Sequence, residues 1–195
     1  FDYEGLSRRL WNVRLNLHGL HQVVNATTAL GAMEVLEDLG YRVSTEAMME
    51  GLKAVEWPGR LQMICPSPRV IVDGAHNPAG AQVLRETLEK DFHYRRLILL
   101  AGIMKDKDFK SILHILSPLA DHILVSRPHL DRAAPPSLLL KALGENRQKA
   151  ELIEDFNEAI ARGISMTEKE DLFCITGSLY TVGEAISYFQ SRRPS

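Results

Sequence analysis

The chain has 195 residues, 45% of them hydrophobic and 25% charged, enough for one large domain or one domain plus part of another. A formal net charge of −2 argues against a broad electrostatic grip on nucleic acid or on an anionic membrane. No apolar run approaches the roughly 20 residues that span a bilayer, and Phe1-Asp2-Tyr3-Glu4 lacks the basic-then-apolar order of a signal peptide, so we expect a cytoplasmic protein.

The chain opens without an initiator Met, inside what reads as a strand. Over residues 6–17, LSRRLWNVRLNL, the mostly alternating Leu10, Val13, Leu15 and Leu17 predict a strand or hairpin with one wet face. From His21 to about Leu39 the spacing turns helical, carried by Val24, Thr28, Leu30, Val35 and Leu36, and Gly40 stops it. Ser44, followed by Glu46 and Ala47, starts a second helix that runs towards Val55. WPGR, residues 57–60, breaks that helix and is the expected domain boundary and hinge. Residues 1–57 are too few and too helix-weighted for a complete partner domain, which leaves 58–195 as the second domain.

Beyond the break, short apolar runs alternate with amphipathic stretches. LQMIC (61–65), RVIVD (69–73), RLILLAG (96–102), HILVS (122–126) and DLFCITG (171–177) read as strands, and KAELI (149–153) as one more short strand. Helices are predicted near 78–91, 108–118, 135–144, 154–165 and 178–190. Continuous apolar strands alternating with helices predict an α/β, Rossmann-like, mostly parallel sheet covered on both faces. Cys65 and Cys174 lie far apart, outside any CxxC pair, and are expected to be reduced, buried thiols; the SRRPS tail is expected to fray.

In such a sheet ligands bind beyond the carboxyl ends of the strands. Asp73 ends the VIV run, Asn77 suits a helix N-cap, and Pro78 suits the first helical position. His76 then sits one residue before the cap, near amides that attract anions. Two readings fit these residues alone: a plain strand–turn–helix joint, or part of a site. No GxGxxG or GxxxxGK[ST] loop occurs anywhere, so the chain has no backbone cradle for a triphosphate.

LHGLHQVVNATTAL (17–30), WPGRLQMI (57–64) and VIVDGAHNPAGAQVL (70–84) resemble, in this order, the latter half of folylpolyglutamate synthase/dihydrofolate synthase. AGIMKDKDF (101–109), SRPHLDRAAPP (126–136) and ITGSLYTVGEA (175–185) continue the resemblance nearly to the end. The family belongs to the Mur-ligase-like ATP-dependent amide ligases, with a central P-loop domain and a C-terminal Rossmann-like domain. The resemblance implies that residues 1–57 are the end of the ATPase domain and 58–195 the glutamate-ligase domain. The P-loop, the Mg²⁺ ligands and a lysine carbamylated in many members then lie upstream, and a monomer is expected.

Site roles transfer with the resemblance. Asn25 matches the asparagine that meets adenine, Arg60 the arginine that reaches the nucleotide phosphates, and Asp73 the aspartate near the ribose. His76 matches the histidine beside the phosphates and the reacting carboxylate, where positioning or electrostatics comes before proton transfer. Lys107 and Ser178 match positions that hold the incoming glutamate; no metal ligand is assigned. On the residues alone, Asn25 also reads as a helix-surface amide, Arg60 as a hinge-surface arginine, Lys107 as a solvated charge and Ser178 as an N-cap. His21 and Gln22 are assigned to capping or packing. The implied reaction joins L-glutamate to a folate or dihydropteroate carboxylate through an acyl phosphate made with ATP. Two alternatives are a non-catalytic α/β binding module and a Mur-type cell-wall amide ligase.

Overall fold

In the computed structural model, which describes residues 1–192, the alternation over 6–17 gives only two short strands. These are β1 (Tyr3–Glu4) and β2 (Arg9–Leu10), antiparallel with Tyr3 opposite Leu10. The strand or hairpin read there takes the hairpin form and stays short because other partners take the backbone. Buried Glu34 accepts from the amides of Leu6 and Ser7 at 2.5 and 3.2 Å, and Asn12 adopts a left-handed φ of 55°. Helix α1 (Leu20–Asp38) follows, then α2 (Thr45–Ala54), whose N-cap Ser44 accepts from the amide of Ala47. The core of this unit, Phe1–Pro58, is small: Tyr3, Leu10, Val13, Leu30 and Met48. Leu20, Val24 and Val35 of α1 stay exposed.

The second unit, Gly59–Ser195, holds six strands among the described residues: β3 (Gln62–Pro66), β4 (Arg69–Asp73), β5 (Leu97–Ala101), β6 (His122–Val125), β7 (Ala150–Leu152) and β8 (Leu172–Thr176). Their order across the sheet is β3-β4-β8-β5-β6-β7, and all pairings are parallel except β3 with β4. That exception has a chain-length cause: a parallel return needs a crossover of a dozen residues, and only Ser67 and Pro68 separate the two strands.

Helices α3 (Pro78–Lys90), α4 (Phe109–Leu116), α5 (Pro136–Ala142), α6 (Phe156–Met166) and α7 (Leu179–Gln190) cover the sheet. Strand residues alternate between two cores. Ile71, Leu99, Ile123 and Cys174 join Leu84 of α3, Leu113 of α4 and Leu139 of α5. Val72, Leu100, Leu124 and Phe173 join Ile160 of α6 and Val182 of α7. Both faces are therefore dry, as the continuous apolar strands require. Cys65 is half-buried and Cys174 buried, and both are free thiols. Residues 193–195 of the SRRPS tail lie outside the described residues.

At the amino edge of the sheet Asp171 is fully buried and accepts from Arg95 and Arg96. Hydrogen bonding from Arg96 is the main reason its carboxyl sits far below the usual range. The amino edge is thus tied together, and the opposite edge is the one with open chemistry.

Candidate functional site at the carboxyl edge of the sheet

Register sets the site. Asp73 at the end of β4 pairs with Thr176 at the end of β8, and Thr176 pairs with Ala101 at the end of β5. The loops leaving these strands carry His76, Lys107 and Ser178, so all four residues read from sequence in this unit beyond Arg60 share one rim. Asn25 belongs to the first unit, on α1, where its exposed side-chain amide donates to Gln22 at 3.0 Å.

Asp73 does not stand open at that rim. It is 8% exposed, and its carboxylate accepts from the amide of Leu61 at 3.0 Å and of Ala75 at 2.8 Å. Gly74 adds a backbone bond to the carbonyl of Gly59 at 2.8 Å. The β4 end is thereby laced to the segment entering β3, which puts Arg60, with its exposed guanidinium, directly beside the turn. Leu61 holds a left-handed φ of 44°, a conformation a leucine keeps only when its surroundings insist. Burial, and then the charge of Asp73, pushes the Cys174 thiol well above its usual range, so it is no nucleophile.

His76 is half-buried, and its Nδ1 lies 2.9 Å from the carbonyl of Gly74. A carbonyl only accepts, so Nδ1 carries a proton there and Nε2 is the ring nitrogen turned to other partners. Asn77 caps α3 through the amide of Gly80 at 2.7 Å, and Pro78 occupies the first turn. The joint is therefore a well-formed strand–turn–helix corner that also orients the imidazole.

Ser178 is buried, and its hydroxyl accepts from the amide of Thr181 at 3.0 Å as the N-cap of α7. The Thr181 hydroxyl in turn donates to the carbonyl of Gly102 at 2.5 Å, tying the ends of β5 and β8. Gly177 permits this: its φ is +117°, and a Cβ there would sit 2.6 Å from the Gly102 carbonyl oxygen. Lys107 is half-exposed on the loop after β5, where its Nζ lies 3.7 Å from Asp106. Asp108 caps α4 through Ser111, and that hydrogen bonding holds its carboxyl below the ordinary range.

Three participants were not read from the sequence. Thr176 is fully buried, and its Oγ1 has no hydrogen-bond partner although it ends its strand beside Asp73. Thr181 and the amide of Leu61 organise the rim from one step behind. Thr176 had a signal, as the polar residue ending an apolar run; the other two depend on register and on a backbone group. Among the described residues no three His, Cys, Asp or Glu side chains are placed to hold a metal ion, and no helix is long and apolar enough to cross a membrane.

Comparison with known proteins bears on the fold and the family. Residues 59–179 match the family model of the Mur ligase, glutamate ligase domain. The chain is 33% identical to the dihydrofolate synthase/folylpolyglutamate synthase of Mycobacterium tuberculosis, over 95% of this chain and 42% of that protein. The Bacillus subtilis protein of the same name is 31% identical, over 94% of this chain and 43% of its own length. Among solved structures, M. tuberculosis folylpolyglutamate synthase complexed with ADP and AMPPCP superposes with a TM-score of 0.89 at 34% identity, covering 98% of this chain and 45% of that one. Escherichia coli FolC in complex with DHPP and ADP gives 0.84 at 30% identity, covering 95% and 42%. The chain thus spans less than half the length of these relatives. The family match across most of the second unit shows that this chain belongs to the Mur ligase family, with dihydrofolate synthase/folylpolyglutamate synthases as its relatives.

Proposed function

We propose that this chain is the C-terminal part of an ATP-dependent ligase that adds L-glutamate to a folate or dihydropteroate carboxylate. The observation that carries the reading is the ordered rim at Asp73–Pro78 within a matched glutamate ligase domain. Residues 1–57 are assigned to the end of the central ATPase domain, and the P-loop and magnesium ligands to sequence outside this chain, in line with its coverage of 42% of the M. tuberculosis relative. The relatives' names supply the substrate class, and the ADP in two similar structures supports ATP as the phosphoryl donor.

ATP, when bound, converts the substrate carboxylate to an acyl phosphate, and the amine of glutamate displaces phosphate to give the amide. The phosphoryl step needs positioning and charge neutralisation more than covalent help. This chain's residues fit that need. The exposed guanidinium of Arg60 suits phosphate oxygens. His76, its ring oriented by the Gly74 carbonyl, presents Nε2 beside the helix N-terminus. Asn25 is assigned to adenine through its amide. Lys107, whose Nζ lies 3.7 Å from Asp106, is assigned to a glutamate carboxylate. Ser178 is assigned to glutamate through the segment it caps, since its hydroxyl already serves Thr181. The ribose role read for Asp73 must share a carboxylate that accepts from Leu61 and Ala75, so we assign Asp73 first to holding those amides.

The test is glutamate-dependent ADP release. The 195 residues alone are expected to show none, and activity of the purified chain would overturn the division of labour. In the longer enzyme His76→Ala is expected to lower turnover by about 10²-fold. Near-normal kinetics would return His76 to a turn residue. Turnover with a nucleotide-linked peptide in place of dihydropteroate would move the protein to the cell-wall branch.

A further inference from the structure

A groove of about 960 Å³ opens between α4 and α5 on the face of the second unit that carries α3. Pro78, Phe109 and Leu138 give it apolar walls, Lys110 and Lys141 give it cations, and His114 adds an imidazole. No Asp or Glu lines it. Lys110 and His114 are four residues apart on α4 and therefore share a helix face. Among the described residues neither Lys110 nor Lys141 closes an ion pair; Lys110 only helps to hold the nearby Asp108 carboxyl low. On a chain with net charge −2, two lysines and an imidazole on apolar walls, with no carboxylate among the lining residues, mark a place for an anion.

The groove's lining includes Pro78, two residues beyond His76, and Phe109, two beyond Lys107, which sets it next to the candidate rim. Its chemistry selects a ligand with several carboxylates on an otherwise apolar chain. We propose that it holds an oligo-γ-glutamyl tail, the part of the acceptor already built, while the tail's end lies at the rim. The eight residues of α4 offer about 12 Å. An α-linked residue spans about 3.5 Å and a γ-link adds two methylenes, so this length takes about two γ-linked residues at roughly 6 Å each. Each such residue carries one carboxylate for a cation on α4 or α5.

The ligand's identity rests on the glutamate-ligase reading, but the groove is tested apart from it. Tetra-γ-glutamate is titrated into the 195-residue chain, with amide NMR shifts and calorimetry as readouts. Shifts should concentrate in α4 and α5, and Lys110→Ala with Lys141→Ala should weaken binding by about tenfold, as for two exposed cationic partners. Lys169→Ala, on the loop before β8 at the amino edge, should change nothing. Absence of shifts in α4 and α5, unchanged affinity in the double variant, or equal binding of α-linked tetraglutamate or inorganic phosphate would each overturn the proposal. A longer enzyme that adds a first glutamate normally while the groove binds nothing sinks this inference alone. A groove that binds the γ-linked tail in a protein with no ligase activity sinks the functional reading alone.

Discussion

Asp73 is the residue on which the rim depends, and its contribution is legible as stability before activity. Removing its carboxylate leaves the amides of Leu61 and Ala75 without their acceptor in a dry corner. A buried orphan donor costs about 1–3 kcal/mol. Asp73→Ala is therefore expected to lower the urea midpoint measurably, and Asp73→Asn, which keeps one acceptor oxygen, by less. Equal midpoints for wild type and Asp73→Ala would show that the two bonds do not hold the corner. A second residue makes a pH prediction. His129 donates its backbone amide to Glu184 and holds ring contacts to Glu184 and Asp155. Hydrogen bonding to Glu184 is the main reason its pKa is raised. A raised histidine pKa stabilises the fold fully below the unfolded value of about 6.5 and loses that contribution as pH climbs through the folded value. The ring is 59% exposed, so the effect on stability is small. It should be plain in an NMR titration, with Glu184→Gln bringing the midpoint back towards 6.5.

At the scale of elements, packing explains which sequence expectations became structure. Every strand read beyond residue 60 formed; the four central ones, β4, β8, β5 and β6, are continuous apolar runs that must be covered on both sides, while β3 and β7 close the edges with partly exposed residues. Helix starts were equally readable at Ser44, Asn77 and Ser178, whose side chains take the first free amides. The strand or hairpin read over 6–17 formed only as two short paired strands because Glu34, from a helix 27 positions away, captured the backbone. No local pattern encodes that capture. The site divided the same way. His76 and its helix start were visible in DGAHNP, whereas the inward turn of Asp73 and the buried hydroxyl of Thr176 depend on a register between strands a hundred residues apart. One element is tightly constrained: a Cβ at Gly163 of α6 would lie 2.2 Å from the Phe173 ring on β8. Gly163→Ala forces that helix off the sheet and is expected to cost about 1–3 kcal/mol in chemical denaturation. A neutral result would mean that Phe173 has room to move.

For the whole molecule, the two units differ in how much core they own. The second buries both faces of a six-stranded sheet, while the first rests on a handful of side chains and leaves Leu20 and Val24 of α1 exposed at 79% and 62%. Small cores are marginal. Hydrogen exchange should therefore find the α1 amides far less protected than those of β4, β5 and β8, and limited proteolysis should remove the first unit before it cuts the second. Equal protection in the two units would overturn this ranking.

The lacing at the β3 entrance has one more consequence. Gly59 and Leu61 are both hydrogen-bonded to the turn that carries His76, so the segment from Gly59 onward travels with the rim as one rigid piece. Any swivelling of the WPGR stretch has to be absorbed at Trp57 and Pro58, and wherever such a rotation leads, the imidazole and the guanidinium of Arg60 arrive together.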